Sequence, residues 1–269
     1  MRLEHFLRAY AQRHQAKTAL VAGEQRVSFA ELHARVNTLA LGLRRLGVGS
    51  GDRVMVYLPN GVEFVQSLYA CFSLGAVVVP VNIRMTPKEL AYFAVDSRPT
   101  VFIYHAESEK ALEEIREQLA GVCRVVVGTV LGADTPPGLH RFEQVAVACD
   151  ESLPDVKVDA EDCMILYTSG TTGKPKGAVM THANMVVQHG YINPVEWRIT
   201  ADDVFLVTTP LAHRTGMARM LNALSLGATL VVMGRFEPDD ALALIEREKV
   251  SAVGMVPTVA RMLMPALER

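Results

Sequence analysis

The chain has 269 residues, of which 27 are lysine or arginine and 29 are aspartate or glutamate, so its formal net charge is −2. Hydrophobic residues make up 50% of the chain and charged residues 21%, which excludes intrinsic disorder as the main state. The near-neutral charge argues against binding nucleic acid through its phosphates. The N-terminal residues 1–14 do not resemble a secretory signal, and the longest apolar stretch, residues 68–83, is too short and interrupted to cross a bilayer. We therefore expect a cytoplasmic protein without a transmembrane segment.

The first 150 residues or so alternate between predicted helices and strands. An amphipathic helix over residues 2–14 precedes two short strands around a turn at residues 23–24. Ser28 and Glu31 have the spacing of a capping box, and they open a helix whose apolar residues recur every three or four positions as far as residue 47. Further strands are predicted at 52–58, 77–81, 100–104 and 124–127, and further helices at 61–74, from Thr86 onward, at 108–119 and at 141–148.

A second alternating series follows an acidic, proline-containing stretch at residues 149–160, which is the candidate linker between two lobes. Lobe 1 is expected at about residues 1–150 and lobe 2 at about 161–269. Strands separated by helices of this length need crossover connections, so the predicted fold class is α/β, with two αβ lobes and mostly parallel sheets. The second series has strands at 162–167, 177–181, 204–207, 228–232 and 251–255, and helices at 182–195, 215–226, 238–249 and 257–267.

One loop of the second series has the composition of an anion-binding site. The segment YTSGTTGKPKG, residues 167–177, contains three glycines, two lysines, and four serine or threonine hydroxyls. Glycine lets backbone N–H groups approach oxygen anions, hydroxyls add donors, and lysines add positive charge. The spacing differs from that of the common P-loop, because Gly170 and Gly173 are three apart and Pro175 follows Lys174. The segment is predicted to bind a polyphosphate, and a solvated hairpin loop is the structural alternative.

This order of residues, YTSGTTGKPKG followed by AVMTH, resembles the signature of the adenylate-forming (ANL) superfamily, which includes the AMP-binding acyl-CoA synthetases. The resemblance extends to Leu58-Pro59-Asn60, to GAVVVPVN at residues 75–82 and to PLAH at residues 210–213. It implies that a carboxylate attacks the α-phosphate of ATP to give an acyl-adenylate, and that the acyl group then passes to a thiol such as coenzyme A. It also implies the fold of the large N-terminal domain of these enzymes.

The resemblance implies roles for individual residues. Thr168 would help to hold the Mg²⁺–ATP complex, and Lys174, Lys176 and His213 would be the catalytic residues. His213 and Gly216 would line the site of the acyl carboxylate, although a histidine that only caps or packs its loop is the structural alternative. The residues implied to surround the β- and γ-phosphates are Ser169, Gly170, Thr171, Thr172, Gly173 and Lys174, together with Thr168.

The expected substrate is a fatty or aromatic carboxylic acid, with ATP and coenzyme A as co-substrates. Residues 210–220 contain no aspartate or glutamate, which disfavours a substrate that bears an ammonium group. Relatives continue with a magnesium-binding glutamate and a C-terminal lid domain, so residues 1–269 are interpreted as a partial N-terminal domain that is incomplete at its C-terminus, with the lid absent. Two alternatives stay open: an adenylating enzyme that loads an acyl carrier protein, and a non-catalytic nucleotide-binding or interaction module left by a decayed, truncated enzyme. A homodimer is one oligomeric state that the sequence allows.

Overall fold

The computed structural model describes residues 1–129, 138–147, 153, 161–168 and 174–267. The chain divides into two compact units, each with its own sheet. The first unit contains Met1–His33, Pro59–Val62 and Ala183–Arg269, and the second contains Ala34–Leu58 and Glu63–His182. Each unit is thus assembled from separate stretches of the chain.

Helices and strands alternate along most of the described chain. The elements before residue 150 are α1 (Leu3–Arg13), β1 (Thr18–Ala22), β2 (Gln25–Ser28), α2 (Phe29–Arg45), β3 (Arg53–Tyr57), α3 (Val62–Leu74), β4 (Val77–Pro80), α4 (Pro87–Ser97), β5 (Val101–His105), α5 (Glu109–Glu113), β6 (Cys123–Val127), β7 (Leu139–Arg141) and α6 (Phe142–Val145). The later elements are β8 (Asp162–Thr168), β9 (Lys176–Thr181), α7 (His182–Val186), a π-helical segment (Val187–Ile192), α8 (Asn193–Trp197), β10 (Val204–Val207), α9 (Arg214–Leu226), β11 (Thr229–Val232), α10 (Pro238–Glu248), β12 (Ala252–Gly254) and α11 (Pro257–Leu267).

The described part of the first unit forms a sheet of five strands in the order β12-β10-β11-β1-β2. All neighbours are parallel except β1 and β2, which form the predicted hairpin. Alternate residues of this sheet, including Val21, Leu206 and Val231, share a hydrophobic core with Ala241 of α10 and Leu263 of α11. Helix α9 contacts β10 and β11. Because α9 follows β10 in the chain, the loop between them leaves the sheet at the carboxyl end of β10.

Within the described ranges, the sheet of the second unit has seven strands in the order β7-β6-β5-β3-β4-β8-β9. Among the strands of the described residues, β8 and β9 pair antiparallel and the other neighbours pair parallel. Phe102 and Tyr104 of β5 share a buried core with Leu90 and Phe93 of α4, and burying them stabilises the unit by roughly 2 kcal/mol per side chain. The predicted α/β class with mostly parallel sheets is confirmed.

Two predicted helix starts are confirmed in atomic detail. The Ser28 N–H donates to the Glu31 carboxylate at 2.8 Å, and the Glu31 N–H donates to the Ser28 hydroxyl at 3.2 Å. Thr86 and Glu89 make the same reciprocal pair at the start of α4. Each box satisfies two backbone donors that a helix leaves unpaired, so α4 begins at a fixed place in the chain.

Three predicted helices differ from the structure. In place of the helix expected at 108–119, the structure has α5 followed by tight turns, in which the Ile115 N–H donates to the Leu112 carbonyl. The shorter helix is possible because these turns bury the same apolar residues as the predicted helix. The helix expected at 141–148 is shortened to α6, and strand β7 was missed. The helix expected at 182–195 contains the π-helical segment. Pro194 has no N–H to donate to the preceding turn, and this accounts for the break in the regular helical hydrogen bonding.

The predicted lobe boundaries differ from the division of the sheets. Strand β1, from the N-terminal part of the chain, pairs with β11, and β8 pairs with β4. Parallel strands need long connections, and these connections bring distant segments into one sheet. Of the candidate linker at 149–160, only residue 153 lies within the described residues.

Candidate functional site

The β8–β9 hairpin carries the predicted polyphosphate-binding loop. Its register places Thr168, at the end of β8, opposite Lys176, at the start of β9. The Thr168 hydroxyl donates a long hydrogen bond of 3.5 Å to the Lys176 carbonyl. Of the predicted phosphate-binding residues, Ser169, Gly170, Thr171, Thr172 and Gly173 lie outside the described residues.

The two lysines of this loop are exposed. No carboxylate in the described part of the chain forms an ion pair with Lys174 or Lys176. The ammonium group of a lysine lies at the end of a flexible chain and has three N–H donors that can rotate. It can therefore stay bonded to an anion that enters and leaves the site. The two side chains are therefore suited to a polyphosphate, as the sequence predicts.

Helix α4 supports the base of the hairpin. The Tyr167 ring stacks on the Phe93 ring with centroids 4.2 Å apart, and its phenol donates to the Asp96 carboxylate at 2.6 Å. The Tyr92 phenol donates to the Pro175 carbonyl at 3.1 Å. Burial, together with the Asp96 carboxylate, raises the pKa of the Tyr167 phenol, which keeps the phenol a donor at neutral pH.

No pattern in the sequence indicates a role for Tyr92, Phe93 or Asp96. They precede the loop by more than seventy positions, and within α4 their spacing is that of any amphipathic helix. Only the pairing of β4 with β8 brings the two segments together.

His213 lies in the loop between β10 and α9. It is exposed, and it occupies the N-cap position of α9, where its Nδ1 accepts a hydrogen bond from the Thr215 N–H at 3.4 Å. This contact is the one expected of the structural alternative. A role of His213 at an acyl carboxylate stays a prediction.

Asn60 fixes the backbone of the loop that leads to His213. Its side-chain amide donates to the carbonyls of Thr209, at 3.1 Å, and Met233, at 2.9 Å. Its Oδ1 accepts from the Leu211 N–H at 2.7 Å. Backbone groups that would otherwise be unpaired inside the protein are thereby satisfied. The sequence signal for Asn60 was its place in the Leu-Pro-Asn resemblance, which did not indicate this contact.

Gly216 allows α9 to start close to the same loop. A Cβ atom at this position would lie 2.8 Å from the carbonyl carbon of Pro210, closer still to its oxygen, and 3.0 Å from the Cα of Leu211. Real Cβ atoms do not approach backbone so closely. Gly216 is therefore required by packing, and its predicted contact with substrate stays a prediction.

A buried polar cluster ties α9 to the π-helical segment. His189 is 1% exposed and its Nδ1 lies 2.7 Å from Oδ1 of Asn222, which also accepts from the Asn193 amide at 3.1 Å. Burial, with a smaller contribution from Arg214 and Arg219, lowers the pKa of His189 to about 4, although the Asn222 hydrogen bond opposes the shift. His189 is therefore neutral at pH 7, and donates through Nδ1.

The predicted site residues belong to different units. Thr168, Lys174 and Lys176 are in the second unit, whereas His213 and Gly216 are in the first. Within the described ranges, no three histidine, cysteine, aspartate or glutamate side chains are grouped so that they could hold a metal ion. No helix among the described residues has the length and apolar character needed to cross a membrane.

Comparisons with known proteins agree with this fold. The model of the AMP-binding enzyme family matches residues 7–269. Feruloyl-CoA synthase from Amycolatopsis sp is 36% identical over 248 residues, covering 90% of this chain and 46% of that protein. The structure of a long-chain-fatty-acid-CoA ligase (FadD1) from Archaeoglobus fulgidus matches with a TM-score of 0.87 at 27% identity, covering 100% of this chain and 54% of that one. The N-terminal domain of FACL13 from Mycobacterium tuberculosis matches with a TM-score of 0.82 at 27% identity, covering 98% and 64%.

The chain therefore belongs to the AMP-binding enzyme family, and the resemblance to the adenylate-forming superfamily is confirmed. The two mostly parallel sheets match those of an acyl-CoA synthetase N-terminal domain. The chain spans about half the length of the curated relatives it matches.

Proposed function

We propose that the complete protein is an AMP-forming acid–thiol ligase that activates a fatty or aromatic carboxylic acid with ATP and transfers the acyl group to coenzyme A. The observation that carries this proposal is the β8–β9 hairpin, which presents two exposed lysines at the end of the family's signature segment. The CoA ligases among its relatives support the same reaction class.

The proposed reaction has two steps. A carboxylate oxygen of the acid attacks the α-phosphorus of ATP, the bond to the bridging oxygen breaks, and pyrophosphate leaves. The thiol sulfur of coenzyme A then attacks the acyl carbon, the bond to the AMP oxygen breaks, and the thiol proton passes to solvent. Negative charge grows on the pyrophosphate oxygens in the first step, so positive groups placed there lower its barrier.

We assign the role of these positive groups to Lys174 and Lys176, which have no competing carboxylate among the described residues. Mg²⁺ takes oxygen ligands and, when bound, neutralises phosphate charge. The exposed hydroxyl of Thr168 suits one such ligand position. Residues 169–173 of the same loop are proposed to add backbone and hydroxyl donors to the β- and γ-phosphates.

We assign the carboxylate of the acid to the loop that carries His213 and Gly216. Residues 210–220 have no acidic side chain, which supports a substrate without an ammonium group. Feruloyl-CoA synthase and the long-chain-fatty-acid-CoA ligase are named for an aromatic and a fatty acid, and both classes suit this proposal. A cytoplasmic location is proposed on the thiols of Cys71 and Cys123, which form no disulfide among the described residues and are expected in a reducing compartment.

Exchange of labelled pyrophosphate into ATP by the complete protein tests the proposal. We expect exchange to depend on added acid and to be strongest with a hydroxycinnamic acid or a long-chain fatty acid. Consumption of coenzyme A thiol in the presence of that acid then identifies the acceptor. Exchange without thiol consumption would favour an adenylating enzyme that loads a carrier protein. If no acid supports exchange, the ligase proposal is wrong.

A further inference from the structure

We propose that helix α4 positions the two lysines of the β8–β9 loop through four side chains, Tyr92, Phe93, Asp96 and Tyr167, which we call the α4 anchor. The inference rests on the proposed function, because it concerns the same phosphate-binding loop. The anchor side chains are positioning residues, since none of them is proposed to touch ATP.

The α4 anchor holds the loop at both ends. Tyr167 directly precedes Thr168, and its phenol and ring are held by Asp96, at 2.6 Å, and by Phe93, at a 4.2 Å centroid distance. Pro175 lies between the two lysines, and its carbonyl accepts from the Tyr92 phenol at 3.1 Å. The backbone at Thr168 and the backbone between the lysines are thereby both tied to one helix.

Helix α4 is itself a fixed support. A capping box sets its N-terminus, and Leu90, Phe93 and Ala94 are buried in the core of the second unit. A group held on a packed helix keeps its place more closely than a group held by loop contacts.

The polar contacts of the α4 anchor contribute little to the stability of the fold. Asp96 is exposed and Tyr92 is half-buried, so losing either polar contact should cost the fold about as much as losing any one hydrogen bond near the surface. A small displacement of the lysines, by contrast, weakens every contact they make with a phosphate. A positioning role therefore predicts a large loss of ligand binding with a small loss of stability, whereas a merely structural role predicts a loss of stability alone.

The matched control is Tyr104→Phe. The Tyr104 phenol also donates to a carboxylate at 2.6 Å, that of Glu109, in the same unit. It lies on β5, which is separated from β8 by β3 and β4 in the sheet. The control therefore removes the same kind of hydrogen bond without touching the hairpin.

The experiment measures the dissociation constant of ATP by calorimetry, kcat and KM for ATP in pyrophosphate exchange, and the melting temperature, all with the complete protein. We expect the double variant Tyr92→Phe, Tyr167→Phe to bind ATP about tenfold more weakly than wild type, with kcat/KM for ATP falling in parallel. Its melting temperature should fall no further than the sum of two Tyr104→Phe-sized losses. Asp96→Asn keeps an acceptor oxygen and should bind ATP more tightly than Asp96→Ala.

A second comparison tests whether the anchor acts through the lysines. In a background of Lys174→Ala and Lys176→Ala, the anchor changes should weaken ATP binding by much less than tenfold, because the lysines are gone and only the Thr168 end of the loop is left for the anchor to position. A full tenfold loss in that background would overturn the proposal, and so would anchor variants that bind ATP as well as Tyr104→Phe does. Wild-type protein that binds ATP without acid-dependent exchange would refute the ligase and leave this test intact. Wild-type protein that does not bind ATP would overturn both.

Discussion

The two loops that carry the predicted site residues are supported in different ways. In the first unit, the loop at residues 208–213 is fixed through its own backbone, by the hydrogen bonds of Asn60 and by the close approach of Gly216. In the second unit, Lys174 and Lys176 are exposed, and the support lies in α4. The difference indicates that changes around the first loop cost folding free energy, whereas changes in the second cost ligand binding.

The largest effect on stability is expected for Gly216→Ala. The new Cβ would meet the backbone of Pro210 and Leu211, which cannot rotate away, so we expect the free energy of unfolding to fall by about 3 kcal/mol or more. Gly234→Ala is the matched control, because a Cβ there has no neighbour within 4 Å. Urea midpoints measure both variants. Equal midpoints would show that the 208–213 loop can shift, and the comparison between the two loops would then fail.

A pH-dependent loss of stability is expected from the cluster behind α9. The pKa of His189 is about 4 in the folded protein and near the ordinary histidine value of 6.5 in the unfolded protein. The unfolded state therefore takes up a proton first as the pH falls, so the contribution of His189 is complete above pH 6.5 and is lost between pH 6.5 and pH 4. The loss should reach about 3 kcal/mol.

Urea unfolding of wild type and His189→Gln at several pH values across that window measures the effect. The variant has no group to titrate, so its free energy of unfolding should depend less steeply on pH than that of wild type. If the two slopes are the same, His189 does not couple protonation to the folding of the first unit.

Asn60→Ala should have the next largest effect on stability. It leaves two carbonyls and one N–H without their partner, and we expect the free energy of unfolding to fall by about 2 kcal/mol. Asn82→Ala is the control, because the Asn82 side chain accepts an exposed hydrogen bond from the Arg84 N–H. An Asn60 variant as stable as the Asn82 variant would place the support of the loop elsewhere.

The sequence predicted what depends on local chemistry. The capping boxes at Ser28 and Thr86, the alternation of strands and helices, and the β8–β9 hairpin all follow from residues close together in the chain. The pairing of β1 with β11 joins segments about two hundred positions apart, and no periodicity indicates such a partner.

The same limit applies to the candidate site. Lys174 and His213 stand out because their motifs are contiguous, whereas Asn60 and Asp96 act on loops distant in sequence. The side chains that would meet a ligand are therefore easier to find from sequence than those that hold them in place.

The smallest effect on stability is expected for Lys174→Ala. The side chain is exposed and has no acidic partner among the described residues, so the free energy of unfolding should change by less than about 0.5 kcal/mol. ATP-dependent exchange by the complete protein should nevertheless fall by about tenfold or more, because charge on the leaving pyrophosphate is no longer stabilised. Lys110→Ala, which removes an exposed lysine of α5 in the same unit, controls for net charge. A loss of melting temperature in step with the loss of exchange would mean that Lys174 supports the fold. The lysine loop and the loop at residues 208–213 would then both contribute to stability, and the difference between them would disappear.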